Sequence, residues 1–155
     1  MFFVRAAQGW LELGNAEESY AELRQVPSDW RHHPEVLELE WHILARQQRW
    51  EASLPVAEQL ALAAPQVPAG WVHRSFALHE LKRTQEALEN LLAAHHRFPK
   101  DPLICYNLAC YECQLGRELE ALEWLRQAFA LGGRKQYRAM ARQDPDLKPL
   151  WKRLP

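Results

Sequence analysis

Apolar residues recur along this chain every three or four positions, the spacing that lines one face of a helix. Leu119, Leu122, Leu125 and Phe129 form such a stripe, and Gly132-Gly133 ends it. The helix before it is announced by Asp101-Pro102, a capping carboxylate followed by proline at the first helical position. It runs to Leu115, where Gly116 supplies a turn because glycine tolerates positive φ. The same template predicts helices over Phe2–Leu13, Ala16–Val26, Glu35–Gln47, Trp50–Ala64, Ala69–Leu81 and Thr84–His96. Pro55 removes an amide donor inside one of them, so a late start or a kink is expected there. Leu and Ala supply 45 residues and the β-branched Val, Ile and Thr only nine, which excludes a sheet protein.

The pattern also repeats. Pro34, Pro68 and Pro102 lie 34 residues apart, as do Pro65, Pro99 and Gly133. Ser19, Ser53, Ala87 and Ala121 keep this period, and so do Tyr20, Leu54, Leu88 and Leu122. Leu13, Leu81 and Leu115 share it, with Gln47 in the remaining slot. A fixed period of this length marks an array of supersecondary units, each unable to bury its apolar face alone. Four helix pairs are expected, at about residues 1–33, 34–67, 68–101 and 102–133. Residues 134–155 break the period. Arg134–Arg142 reads as a capping helix, and Asp144-Pro145-Asp146-Leu147 opens a short terminal segment that holds Leu150 and Trp151 against the stack.

These residues resemble the tetratricopeptide repeat over roughly residues 2–133. The family's large residue early in the first helix is matched by Phe3, Leu37 and Trp71, with Cys105 smaller, and the small residue four positions on by Ala7, Ser75 and Ala109. The acid-then-small pair opening the second helix is matched by Glu86-Ala87 and Glu120-Ala121, and the helix-ending proline by Pro65 and Pro99. Tyr106-Asn107-Leu108-Ala109 with Leu115-Gly116 is the clearest copy. The resemblance implies an all-α, right-handed superhelical solenoid whose first helices line a concave groove. Small residues at Ala87 and Ala121 let helices approach to the lower end of the ~8–10 Å range.

Some residues depart from the family. Trp41 stands where a small residue belongs, so the second repeat must splay or shift. Glu40 and Arg74 occupy a usually apolar position 34 residues apart, which suggests either an ion pair between repeats or two heads reaching separately to water. Glu112 replaces an aromatic, and its partner is not legible.

A net charge of −1 gives no excess of cations for phosphate contacts, so nucleic acid is not expected as a partner. The apolar runs fall short of the ~20 residues a membrane span needs. The start, Met1-Phe2-Phe3-Val4-Arg5, turns polar too soon for a signal peptide, so a reducing, cytoplasmic setting with free thiols is expected. Catalytic chemistry finds no constellation: no phosphate loop, nucleophile elbow or His-Glu-x-x-His motif is present. Cys110 and Cys113 form one Cys-x-x-Cys, but zinc sites pair two and redox sites follow a strand, so packing thiols are expected. His42 and His79 sit at inward positions of first helices without a catalytic partner at recognisable spacing. A zinc site joining them to the two cysteines is conceivable from residue type alone. No metal or other cofactor is expected. Seven tryptophans are read mainly as core filling, with one or two left for contact.

The function implied is therefore non-enzymatic: a scaffold holding a segment of another protein or peptide in the groove. Residues at i, i+3, i+7 and i+10 of the first helices should face it, namely Glu35, Glu38, His42 and Ala45, then Ala69, Val72, Phe76 and His79, then Leu103, Tyr106, Cys110 and Cys113. Family members that grip acidic carboxyl tails use Lys, Arg and Asn there, and these positions carry none. The alternative is self-assembly into a homodimer through the apolar, uncapped Phe2-Phe3-Val4, unless that end belongs beneath a longer native sequence.

Overall fold

A computed structural model describes residues 2–155. Among these residues, nine α-helices and two short 3-10 turns make up the regular structure, and there is no strand. The helices are α1 (Phe2–Glu12), α2 (Ala16–Leu23), α3 (Pro34–Arg46), α4 (Trp50–Ala63), α5 (Ala69–Glu80), α6 (Thr84–Arg97), α7 (Pro102–Gln114), α8 (Glu118–Gly132) and α9 (Arg134–Ala141). The 3-10 turns are Ser28–Trp30 and Pro145–Leu150. Each helix lies within three residues of the span its sequence pattern predicts. α4 rules out the late start, one of the two outcomes expected of Pro55: it starts at Trp50 and contains the proline. Both Pro55 and Glu51 are exposed, so water can serve the Glu51 carbonyl that lacks an i+4 donor.

The 34-residue period is written into the backbone as well as the side chains. Gly14, Gln48, Lys82 and Gly116, each 34 apart, all take positive φ at the turn between paired helices (82°, 56°, 63° and 80°). Two repeats use glycine for this left-handed residue, and two force Gln and Lys into it. The next residue takes the N-cap position in all four repeats, but only Asn15 caps with its side chain, which accepts the Glu18 amide. Ser19 donates to the Ala7 carbonyl at 2.6 Å across the first helix pair, a bond that Ala87 and Ala121 give up at the same register.

The chain divides into two compact units, Met1–Leu81 and Lys82–Pro155. In the first, consecutive helices α1 to α5 pack in turn, and α1, α3 and α5 also touch one another in that order. α3 serves two cores. Val36, Leu39 and Ile43 pack with Ala7, Leu23 and Val26, while Leu37, Trp41 and Leu44 pack with Val56, Ala57 and Leu60. Two apolar stripes leave a third, Glu35-Glu38-His42, facing solvent. In the second unit α7 packs against α6 and α8, α8 against α9, and the terminal 3-10 turn lies on α7 and α8. α7 is apolar nearly all round, and nine of its residues, from Ile104 to Cys113, are buried. Glu112 among them pairs with Arg117 at 3.1 Å, and the same guanidinium donates to Gln85.

Candidate functional site

The predicted groove residues separate into two environments. In the first unit Glu35, Glu38 and His42 stand exposed along α3. They line a cleft of about 630 Å³ between α1 and α3, with Val4, Leu11 and Leu39 as its apolar surface and Arg5, Gln8 and Glu12 on the facing helix. On α5, Phe76 is 39% exposed and packs against the indoles of Trp41 and Trp50, with ring centroids 6.1 and 5.7 Å away. His79 is half-buried. Val72 is buried, and His73, one residue on, is the α5 side chain that lies against Glu38 and His42.

In the second unit Tyr106, Cys110 and Cys113 are buried rather than open. The chain's own terminal segment covers them. Tyr106 donates to Asp144 Oδ2 at 2.8 Å, the Cys110 thiol lies 3.6 Å from the same oxygen, and Gln114 donates to the Asp146 carbonyl at 2.8 Å. Burial raises the Cys110 thiol pKa well above the usual range, and Asp144 and Asp146 push it further. Cys113 and Cys105 are raised as well, again chiefly by burial. All three thiols are free.

Around Trp41 the structure assembles a cluster that sequence spacing did not indicate. The indole that takes a small residue's place is buried and stacks flat on the His73 imidazole, 4.0 Å between centroids and 7° between planes. His42 meets that imidazole edge-on at 5.1 Å and Trp41 at 5.3 Å. Glu38 Oε1 lies 3.8 Å from His73 Nε2, which is buried and makes no hydrogen bond. Burial, with His42 second, pushes the His73 pKa down to about 4, so its ring is neutral at pH 7 and both nitrogens need partners. Glu40 and Arg74, suggested as an ion pair, each meet other neighbours. Glu40 is raised by burial, partly offset by Arg24 and Arg31 on the preceding repeat, and Arg74 donates to Glu58 at 3.1 Å.

Helix pairs repeating every 34 residues, with a shared left-handed turn, define a tetratricopeptide-type helical repeat solenoid. Solved structures agree on that fold. "MamA MSR-1 C2", a TPR-like protein, superposes with a TM-score of 0.70 at 20% identity, covering 86% of this chain and 76% of that one. "MamA RS-1 ArsTM double mutant" reaches 0.74 at 16% identity, over 86% and 75%. The TPR subunits in "Crystal structure of APC/C hetero-tetramer Cut9-Hcn1" give 0.71 at 13% identity, over 97% of this chain and 29% of that one. No family model matches the sequence, and no curated protein does either. No helix among the described residues is long and apolar enough to cross a membrane.

Proposed function

We propose that this chain is a non-catalytic protein-interaction module that holds a segment of another protein against the open stripe of α3. The observation that carries the reading is the α1–α3 cleft: apolar Val4, Leu11 and Leu39 beside Glu12, Glu35 and Glu38. Such a surface fits an amphipathic segment with Leu-type anchors and a Lys or Arg directed at the glutamates. An acidic tail finds one cation, Arg5, with Gln8 and His42 as neutral donors among the cleft residues, against three carboxylates. Phe76, half-exposed beside Trp41 and Trp50, supplies an apolar anchor on α5. Tyr106, Cys110 and Cys113 are left out of this reading, since the terminal segment bonds to their helix.

Titration with two synthetic peptides tests this, one amphipathic with Leu and Lys, one an acidic carboxyl-tail sequence, each in low and high salt. The amphipathic peptide should bind with little salt dependence and weaken in Phe76→Ala and in Leu39→Asp. Salt-sensitive binding of the acidic peptide, indifferent to Phe76→Ala, would overturn the reading.

A second occupant has support at the N-terminal end of α1. Phe2, Phe3, Val4, Pro27, Trp30 and Val36 line a cleft of about 510 Å³, and Phe2 and Trp30 are exposed on it. Exposed apolar patches of this kind mark contacts, and the partner that fits this alternative is a second copy of the chain. A monomer whose sedimentation is independent of concentration sinks that alternative.

A further inference from the structure

We propose that Glu38, His42 and His73 form a binding site for a divalent transition-metal ion of the zinc type on the open face of the first unit. The three side chains come from two helices. Glu38 and His42, four residues apart, share one face of α3, and His73 reaches them from α5. One ligand atom from each lies within 4.8 Å of the other two, and the Glu38–His73 pair is already at 3.8 Å. Ligand atoms ~2.0–2.2 Å from a tetrahedral zinc stand a little over ~3 Å apart. Glu38 and His42 are both exposed, which leaves their side chains room to close from 4.8 Å to that spacing.

A second observation points the same way. His73 Nε2 is buried, aimed at Glu38, and makes no hydrogen bond. A buried ring nitrogen left without a partner is costly, and a metal ion satisfies it. The ring's plane is already set by stacking on Trp41 and by the edge of His42. That orientation is what outer-shell groups supply to metal-bound imidazoles. The charge of the cleft suits a cation on balance: Glu12 and Glu35 line it beside Glu38, against one cation, Arg5.

Two imidazoles and one carboxylate select Zn²⁺, Co²⁺, Ni²⁺ or Cu²⁺ over Mg²⁺ and Ca²⁺, which prefer all-oxygen shells. Three protein ligands leave at least one coordination position open to water or to a side chain arriving in the cleft. The site goes beyond the interaction reading and stands without it, since it is tested on the chain alone with no peptide present.

The experiment titrates untagged, metal-free protein with Zn²⁺ by calorimetry and with Co²⁺ by visible absorption, in parallel with His42→Ala, Glu38→Gln, His73→Ala and His96→Ala. One ion per chain is expected, with Co²⁺ d–d bands and quenching of tryptophan fluorescence through Trp41. Each of His42→Ala and Glu38→Gln should weaken binding by at least about tenfold, the loss that even outer-shell changes cause. Both positions are exposed, so their far-UV circular dichroism should match the parent, whatever His73→Ala does to folding. His96→Ala, an exposed histidine of the second unit, should bind as the parent does. No saturable binding by the folded parent, or parental affinity in either His42→Ala or Glu38→Gln, overturns the assignment.

Discussion

Replacing Gly70 by alanine sets two opposed effects against each other, and the structure says which one wins. Alanine is the better helix former by up to about 1 kcal/mol in a helix interior. Gly70 is only the second residue of α5, where that gain is smallest. Against it stands α4. A Cβ on Gly70 collides with the Ala61 backbone nitrogen and falls 2.6 Å from its Cα and 2.7 Å from its Cβ. The obstacle is mainly helix backbone, which cannot swing aside as a long side chain does. Relief requires α4 and α5 to separate along a tightly packed interface. Overpacking of this sort costs about 1–3 kcal/mol, so the net loss is about 1–2 kcal/mol. For a chain of 155 residues that lowers the melting midpoint by about 2–8 °C. Gly9 is the matched control. It lies in the middle of α1 with nothing within 4 Å of an added methyl, so Gly9→Ala should stabilise by about 0.5–1 kcal/mol. Thermal and urea unfolding followed by circular dichroism read both variants. A Gly70→Ala midpoint at or above that of the parent would refute the close α4–α5 approach.

The terminal segment yields two further expectations. Tyr106→Phe deletes a hydrogen bond to the Asp144 carboxylate, so it should cost about 1.5 kcal/mol in urea unfolding; an unchanged midpoint means that the segment does not hold α7. The Cys110 thiol has its pKa raised by burial and by Asp144 and Asp146, so it should resist alkylation at pH 8 in the folded protein and react on unfolding. The sign for stability follows: the folded thiol holds its proton more tightly than an unfolded one near 9, so its contribution is complete below that pH and declines as pH rises above it. Fast alkylation of native Cys110, or a urea midpoint that rises between pH 8 and 10, contradicts this.

The α-helical class, the 34-residue period and nearly every helix boundary were legible in the sequence, because they rest on local physics. Apolar spacing, Asp-Pro starts at Pro102 and Pro145, and Gly14 and Gly116 at the turns act over a few residues each. Even the left-handed Gln48 and Lys82 follow from register once the period is known. The Glu35-Glu38-His42 stripe came from the groove register that the family resemblance implies, and the structure leaves it exposed as the face of α3 that two apolar ones do not use. What covers a surface is a different kind of fact. Tyr106, Cys110 and Cys113 occupy groove register, yet Asp144 and Asp146 return from more than thirty residues away to close over α7. Likewise, Trp41 taking a small residue's place did not announce that its indole would stack on His73 and bring that imidazole to Glu38 and His42. The difference is one of range. Repeat spacing fixes which residues share a helix face, but which faces meet is settled by side-chain volume and chain return in three dimensions, and those contacts leave no periodic mark along the chain.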